Sequence, residues 1–203
     1  EKRHSVYFNF NNYDYATKSG MYVYLGGNYF ENQIVYSTVY DPIDLISRTT
    51  FENLTSMASG YAGISYDKSI KVGGHNFKIG VELFSDYDYD KGLTNNELYV
   101  SEGYAISPKI NLTWEYGEVL TLNPSYQYQF NYTKFSNYVI ENSSNFRHYL
   151  KLETTTRWPK NVVFGNDFGY TYNSNIADGF KKDFYLWNMS LGYNFFGEKL
   201  LAK

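Results

Sequence analysis

Asp86, Asp88 and Asp90 alternate with Tyr87 and Tyr89 in the stretch SDYDYDKG. Closely spaced carboxylates suit a hard cation such as Ca²⁺. A calcium-binding helix–loop–helix also needs a Glu at the end of its loop, and this spacing lacks one. The stretch therefore reads as a solvated loop. Nine further charged residues share one parity of alternating segments: Lys78, Glu82, Lys109, Glu115, Arg147, Lys151, Glu153, Arg157 and Asp167. Their mixed signs suit pairing across neighbouring strands. On the wall of an aqueous pore the same groups would tune solute selectivity, and in a plugged pore some would hold the plug. Pairing is the preferred role, because a lumen wall is far larger than a ligand's footprint.

Catalytic motifs are missing. The chain has no GxxxxGKS/T phosphate loop, no HExxH and no GxSxG. No acid, base and nucleophile set can be assembled, so neither an enzyme nor a cofactor is expected. His4, His75 and His148 lie far apart, none with a plausible second ligand, and there is no cysteine. A metal site, a disulfide framework and Cys-based redox chemistry are thus not expected. His148 falls on an apolar parity beside Leu150, as at an interface. The Asn-x-Ser/Thr matches at Asn53, Asn111, Asn131, Asn142 and Asn188 read as chance in an Asn-rich chain.

The 203 residues include 18 Lys plus Arg and 21 Asp plus Glu, a net charge of −3. A nucleic-acid binder carries a basic excess, so that class is excluded. Aromatic residues make up 21% of the chain, yet mean hydropathy is −0.50. Disordered chains are poor in aromatics. No run of roughly 18 apolar residues exists, so no transmembrane helix is expected. A polar average still fits a membrane β-barrel, whose strands alternate lipid-facing and lumen-facing residues.

The elements that carry these residues have a period of two. Leu120, Leu122, Pro124, Tyr126, Tyr128, Phe130 and Tyr132 oppose Thr121, Asn123, Ser125, Gln127, Gln129 and Asn131. The same split recurs over 77–83, 106–116, 146–158 and 185–195, and less cleanly over 5–11, 21–30, 57–67 and 162–172. About nine strands result, each long enough for the roughly 9–11 residues that cross a bilayer. Short turns are predicted at 13–19, 72–75, 116–118 and 158–161. Longer loops are predicted at 41–50, 86–98, 139–145 and 173–183. Gly26-Gly27 and Gly60-Tyr61-Ala62-Gly63 read as places where a neighbouring side chain or a plug comes close.

The fold expected over residues 1–203 is therefore all-β: an antiparallel transmembrane β-barrel of about nine to ten long strands, itself part of a larger barrel. Trp114, Tyr116, Trp158, Trp187, Tyr193 and Phe195 cluster near strand ends, as membrane-interface girdles do. A soluble sandwich would have shorter strands, with a turn every 8–12 residues or so. Nine strands would put the end of the ninth, near Gly197, on the side opposite to the start of the first. Complete bacterial barrels have even strand counts, so a partial wall is expected, with Lys199–Lys203 opening a further strand. A start at Glu1-Lys2-Arg3, with no Met or apolar leader, fits a processed chain or a piece of a longer one.

The stretch LYVSEGYAISPKINLTWEYGEVLTLNPSYQY (98–128) resembles the barrel of Bacteroidota outer-membrane proteins of the TonB-dependent receptor type. FYLWNMSLGYNFFGEKLLAK (184–203) resembles the region a few strands before such barrels end. Met21–Asp41, as one long strand followed by Arg48–Tyr66, fits the same family. The resemblance covers almost the whole chain. It implies a bacterial outer-membrane location and a barrel of about 22 strands around an N-terminal plug. It implies nutrient import energised by an inner-membrane complex, with membrane lipid, lipopolysaccharide and a surface lipoprotein as further partners. The sequence departs from the family in showing no plug, no energy-coupling segment and no terminal aromatic residue. Two other readings remain open: a complete small channel or adhesin of about 8–12 strands, and a receptor-like barrel acting as a scaffold subunit.

Overall fold

The computed structural model describes residues 1–137, 141–195 and 200–202. Alternation of aromatic or branched residues with small polar ones suits a pleated strand, and the described residues form strands joined by turns, with no helix. The strands are β1 (Lys2–Asp14), β2 (Ser19–Glu31), β3 (Gln33–Asp41), β4 (Ile46–Leu54), β5 (Met57–Val72) and β6 (His75–Thr94). They continue as β7 (Glu97–Tyr116), β8 (Leu120–Ser136), β9 (Ser143–Thr156), β10 (Val162–Asn173), β11 (Asp183–Phe195) and β12 (Leu200–Ala202).

One antiparallel sheet runs β1-β2-β5-β6-β7-β8-β9-β10-β11-β12. Nine of these ten strands have twelve residues or more; β12 has three. The β3–β4 hairpin stands off this path and touches it through a short parallel pairing, Ser37↔Leu93 and Thr38↔Thr94. The sheet is open, since no pairing joins β1 to β11 or β12. It is also a single layer. Among the described residues Met57 is the only buried apolar side chain. The accessible surface is 14199 Å². A compact monomer of this mass exposes about 9,800 Å².

The predicted turns form at Tyr15–Lys18, Gly73-Gly74, Gly117–Val119 and Arg157–Asn161. Gly73 and Gly117 take φ of 58° and 53°, a region that glycine enters without a Cβ penalty. The predicted loop at 173–183 forms over 174–182, whereas the other three long loops differ from expectation. Residues 86–98 are not a loop: β6 and β7 run on to Thr94 and from Glu97, joined by Asn95-Asn96. Both asparagines have positive φ, the geometry of a two-residue hairpin turn. Dense Asp, Gly and Asn gave a loop signal there, but the Asp/Tyr alternation continues the strand pleat. Of 41–50, only Pro42–Leu45 turns.

Met21–Asp41 is not one strand, because Asn32 at φ 54° breaks it into β2 and β3. Arg48–Tyr66 is likewise split, with Ser56 at φ 64° between β4 and β5. Of 139–145, Ser143 onward belongs to β9, and 139 and 140 lie outside the described residues. Gly197, Lys199 and Lys203 also lie outside them, while Leu200–Ala202 pair with β11 as the expected further strand.

Candidate functional site

Residues opposite one another across antiparallel strands share a face. The registers therefore assign every side chain to one of two faces. Phe77, Ile79, Val81 and Leu83 of β6 stand against Trp114, Leu112, Ile110 and Pro108 of β7. Lys78, Gly80 and Glu82 stand against Thr113, Asn111 and Lys109 on the other face. The apolar face is left uncovered, unlike that of a water-soluble sheet. Val81 is 43% exposed and Ile110 38%, whereas the polar-face Ser107 is 8% exposed. The aliphatic side chains stand clear, and on the polar face the charged Lys78, Lys151 and Glu153 are exposed as well.

The apolar face is banded. At the short-turn end, Phe77 and Trp114 lie parallel, 6.4 Å apart and 5° between planes. His75 stacks on Tyr116 at 4.7 Å, and Trp114 Nε1 donates to His75 Nδ1 over 3.1 Å. Toward the other end, Tyr87, Tyr104 and Tyr132 pack in a row at 5.0 and 6.4 Å. His148 lies between Tyr126 and Tyr128, hydrogen-bonded to the Tyr126 hydroxyl at 2.8 Å. Ile79, Val81 and Leu83 of β6 and Ile106, Pro108, Ile110 and Leu112 of β7 fill the zone between these bands, with Ser85. Trp114, Tyr116, Trp187, Tyr193 and Phe195 all fall on the apolar parity. Trp158 does not sit on a strand; it occupies the turn after β9 and is 69% exposed.

Eight of the nine predicted charged residues lie on the polar face. Arg157 falls past the end of β9, in the turn, where its backbone N–H donates to the Val119 carbonyl. Lys78 Nζ is 3.9 Å from Glu115, whose other oxygen accepts from Asn76. Lys151 bonds Glu153 on its own strand and lies 3.7 Å from Asp167 of β10. Glu153 and Asp167 face each other directly, so Lys151 neutralises a like-charged pair. Together with Asn123, Asn188 and Ser190 the two carboxylates line a polar recess of about 360 Å³.

Asp86, Asp88 and Asp90 also point to the polar face, not into a loop. Asp86 and Asp90 are about 13.6 Å apart along the strand, too far for all three carboxylates to share one ion with ligand distances near 2.4 Å. Among the described residues no group of three His, Cys, Asp or Glu could hold a metal.

Sequence reasoning missed a set of rings on the polar face. Tyr22, Tyr24, Tyr61 and Phe84 share it with Ser65, Glu82 and Lys109. Tyr24 lies 5.3 Å from Tyr22, 6.2 Å from Tyr61 and 6.3 Å from Phe84. The signal was present: Tyr22 and Tyr24 share a parity with Gly20 and Gly26, and Tyr61 with Gly63. These rings on the polar parity are the reason the two-faced split is less clean over 21–30 and 57–67.

Outside the two-faced strands, the loop Ser174–Lys182 is closed by Lys182 Nζ on Asp178, 2.8 Å away. That hydrogen bond and its charge hold the Asp178 carboxyl below its ordinary value and raise the Lys182 ammonium. In the first turn, the Thr17 hydroxyl and the Ala16 and Thr17 amides lower the Asp14 carboxyl.

The fold and its two faces define a class: an all-β, single-layer antiparallel sheet, apolar on one side and polar on the other. No known protein family matches the chain, and no curated protein is significantly similar to it.

Proposed function

We propose that this chain forms part of the wall of a transmembrane β-barrel in a bacterial outer membrane, of the TonB-dependent receptor type, serving nutrient uptake. The observation that carries the membrane reading is the exposed apolar face, whose aliphatic residues are banded by aromatic ones. Phe77 to Tyr87 on β6 and Trp114 to Tyr104 on β7 both span ten residues between bands. Ten residues cover about 33 Å along a strand. At a tilt of about 40° this is about 25 Å of height, the thickness of the apolar band of such barrels. An excess exposed surface of roughly 4,400 Å² over a compact monomer also calls for a cover other than water.

The partial-wall reading is supported by strand direction. β1 and β11, the outermost long strands of the main path, run the same way, and only the three described residues of β12 lie beyond β11. Closing one on the other would make a parallel seam in an otherwise antiparallel wall. In lipid, the free N–H and C=O groups of β1, and of β11 outside its pairing with β12 at Tyr193–Phe195, need partner strands. The receptor type and nutrient uptake rest on the sequence resemblance. The polar face would line the interior.

The test is extraction from native membranes. The protein should resist washing with alkali and urea, dissolve only in detergent, and keep a β-sheet spectrum there. A monodisperse, folded protein in plain buffer overturns the membrane reading. Uptake of a nutrient panel by a deletion strain tests the transport part; unchanged uptake of every nutrient overturns it.

A further inference from the structure

β4 is a strand with one open side. Its inner edge pairs with β3 over its whole length, and among the described residues no strand pairs with its outer edge. The hairpin that carries it is held in place. β3 pairs with β6 at Ser37↔Leu93 and Thr38↔Thr94. The Asn95 amide donates to the Thr38 carbonyl over 2.9 Å, and the Tyr40 amide donates to Asn95 Oδ1 over 2.8 Å. Leu93 lies past Tyr87 by about 20 Å of strand, so the hairpin stands clear of the aromatic band. An open edge is a template for another strand, and proteins commonly blunt it with Pro, Lys or a bulge. β4 reads ISRTTFENL, without proline or lysine, and its pairing with β3 has no bulge.

The residues of β4 are arranged symmetrically about Thr50. Arg48 and Glu52 flank it on the same face, and Ile46 and Leu54 lie beyond them. Antiparallel pairing of β4 with a second β4, centred on Thr50, sets Arg48 against Glu52 twice and Ile46 against Leu54 twice. On the other face it sets Ser47 against Asn53 and Thr49 against Phe51. A slip of two residues puts Ile46 against Glu52, or Arg48 against Leu54. In-register parallel pairing sets each charge against its own kind. One arrangement therefore satisfies both charges and both apolar ends. Within the chain these charges are unengaged. Val39 and Val35 face Arg48 and Glu52 across the hairpin. Neither charge enters an ion pair or side-chain hydrogen bond with a described residue.

We propose that the outer edge of β4 pairs with the same edge of a second copy of this chain, in a self-complementary two-fold contact. Backbone hydrogen bonds supply the affinity, and the Arg48–Glu52 pairs fix register and direction. β3 runs with β6 and β4 runs against it. Antiparallel pairing of two β4 strands therefore points the two copies in opposite directions. Copies in one membrane share a direction, so on the membrane reading the contact joins copies in facing membranes. The pairing itself does not rest on that reading, because the hairpin lies outside the banded zone.

The test is sedimentation of the full chain in density-matched detergent, or in plain buffer if it dissolves there. Either medium leaves the copies free to take opposite directions. A dimer is expected. Arg48→Glu and Glu52→Arg should each weaken it about tenfold or more, since each turns two attractions into two repulsions. Equimolar mixing of the two variants should restore it, because the mixed pair again sets opposite charges together. Thr50→Cys reads the register directly. The chain has no cysteine, and the two-fold pairing brings position 50 within disulfide reach of its own copy. Mild oxidation should give a covalent dimer with Thr50→Cys and none with Ser47→Cys, whose copies lie about 20 Å apart along the strands. This crosslink decides if either charge variant loses its β-sheet spectrum. A monomer, alone or holding a different protein at this edge, overturns the proposal. So does a dimer indifferent to both charge changes, or equal crosslinking at positions 47 and 50.

Discussion

Tyr24 of β2 lies across Gly63 of β5, its register partner, so closely that a methyl group at position 63 would collide with the ring. Two residues along, the relation is reversed: Tyr61 of β5 lies across Gly26 of β2. The same strand pair is thus locked twice, once from each side. A third case, Tyr99 over Gly92, joins β6 and β7. Strand glycines lose conformational entropy and pack poorly; a ring laid over them restores the missing contact.

Adding a methyl group at the lock should be felt. Gly63→Ala should destabilise the protein by about 1 kcal/mol, the low end for overpacking, because the displaced group is a movable ring end. Gly60→Ala should stay within about 0.5 kcal/mol, since a Cβ there meets nothing closer than the Gly26 carbonyl at 3.6 Å. Urea unfolding from detergent or vesicles measures both. Tyr24→Ala combined with Gly63→Ala should cost less than the sum of the two, by about 0.5 kcal/mol or more. Strict additivity would show that ring and glycine are not coupled.

Depth within the apolar band sets the cost of a charge. Val81 lies near the middle of the zone between Phe77 and Tyr87. Val81→Lys should destabilise folding into vesicles by about 2–4 kcal/mol. Ser65→Lys places the same charge on the polar face, opposite Glu82, and should change stability by no more than about 0.5 kcal/mol. Equal effects at the two positions would contradict the assignment of faces.

Lys151 separates two carboxylates that would otherwise confront each other across β9 and β10. Lys151→Met should lower stability at neutral pH, and a further Asp167→Asn should restore most of the loss. The comparison is made by urea midpoint. The group is exposed, so the effect should shrink as salt is added. Failure of Asp167→Asn to rescue would mean the lysine acts by packing its stem rather than by its charge.

The loop after β10 should respond to acid. Asp178 has a carboxyl held below its ordinary value of 3.8 by Lys182. A lowered folded-state value means the contact stabilises the loop above about pH 4 and is lost as pH falls through the lowered value. Lys182 is raised above 10.5, so its side of the contact is lost only in strong alkali. Carboxyl NMR titration should place Asp178 below 3.8, and Lys182→Met should return it to the ordinary range. An unshifted Asp178 in the unaltered protein would refute the contact.

Much of this was legible in the residue order. Period-two alternation marked the strands and their two faces, and it placed eight of the nine charged residues, because strand geometry sends side chains to alternate sides whatever lies beyond. Arg157 and Trp158 were misplaced because parity has no meaning once a strand has ended. The Asp86–Asp90 run was misread because acidic and turn-forming residues signal loops by composition, while its alternation with Tyr87 and Tyr89 was the truer guide. Asn32, a residue type that readily takes positive φ, ended one strand with a local signal that was passed over, and Ser56 ended another with none.

What the sequence determined by itself is the polarity of each strand, since that follows from local geometry alone. What only the tertiary structure decided is which residues meet: Tyr24 over Gly63, Lys151 between Glu153 and Asp167, Glu82 facing Lys109 without pairing. Those relations depend on register. Strands of like pattern can slide by two residues without disturbing either face, so alternation leaves the register undetermined until neighbouring strands pack.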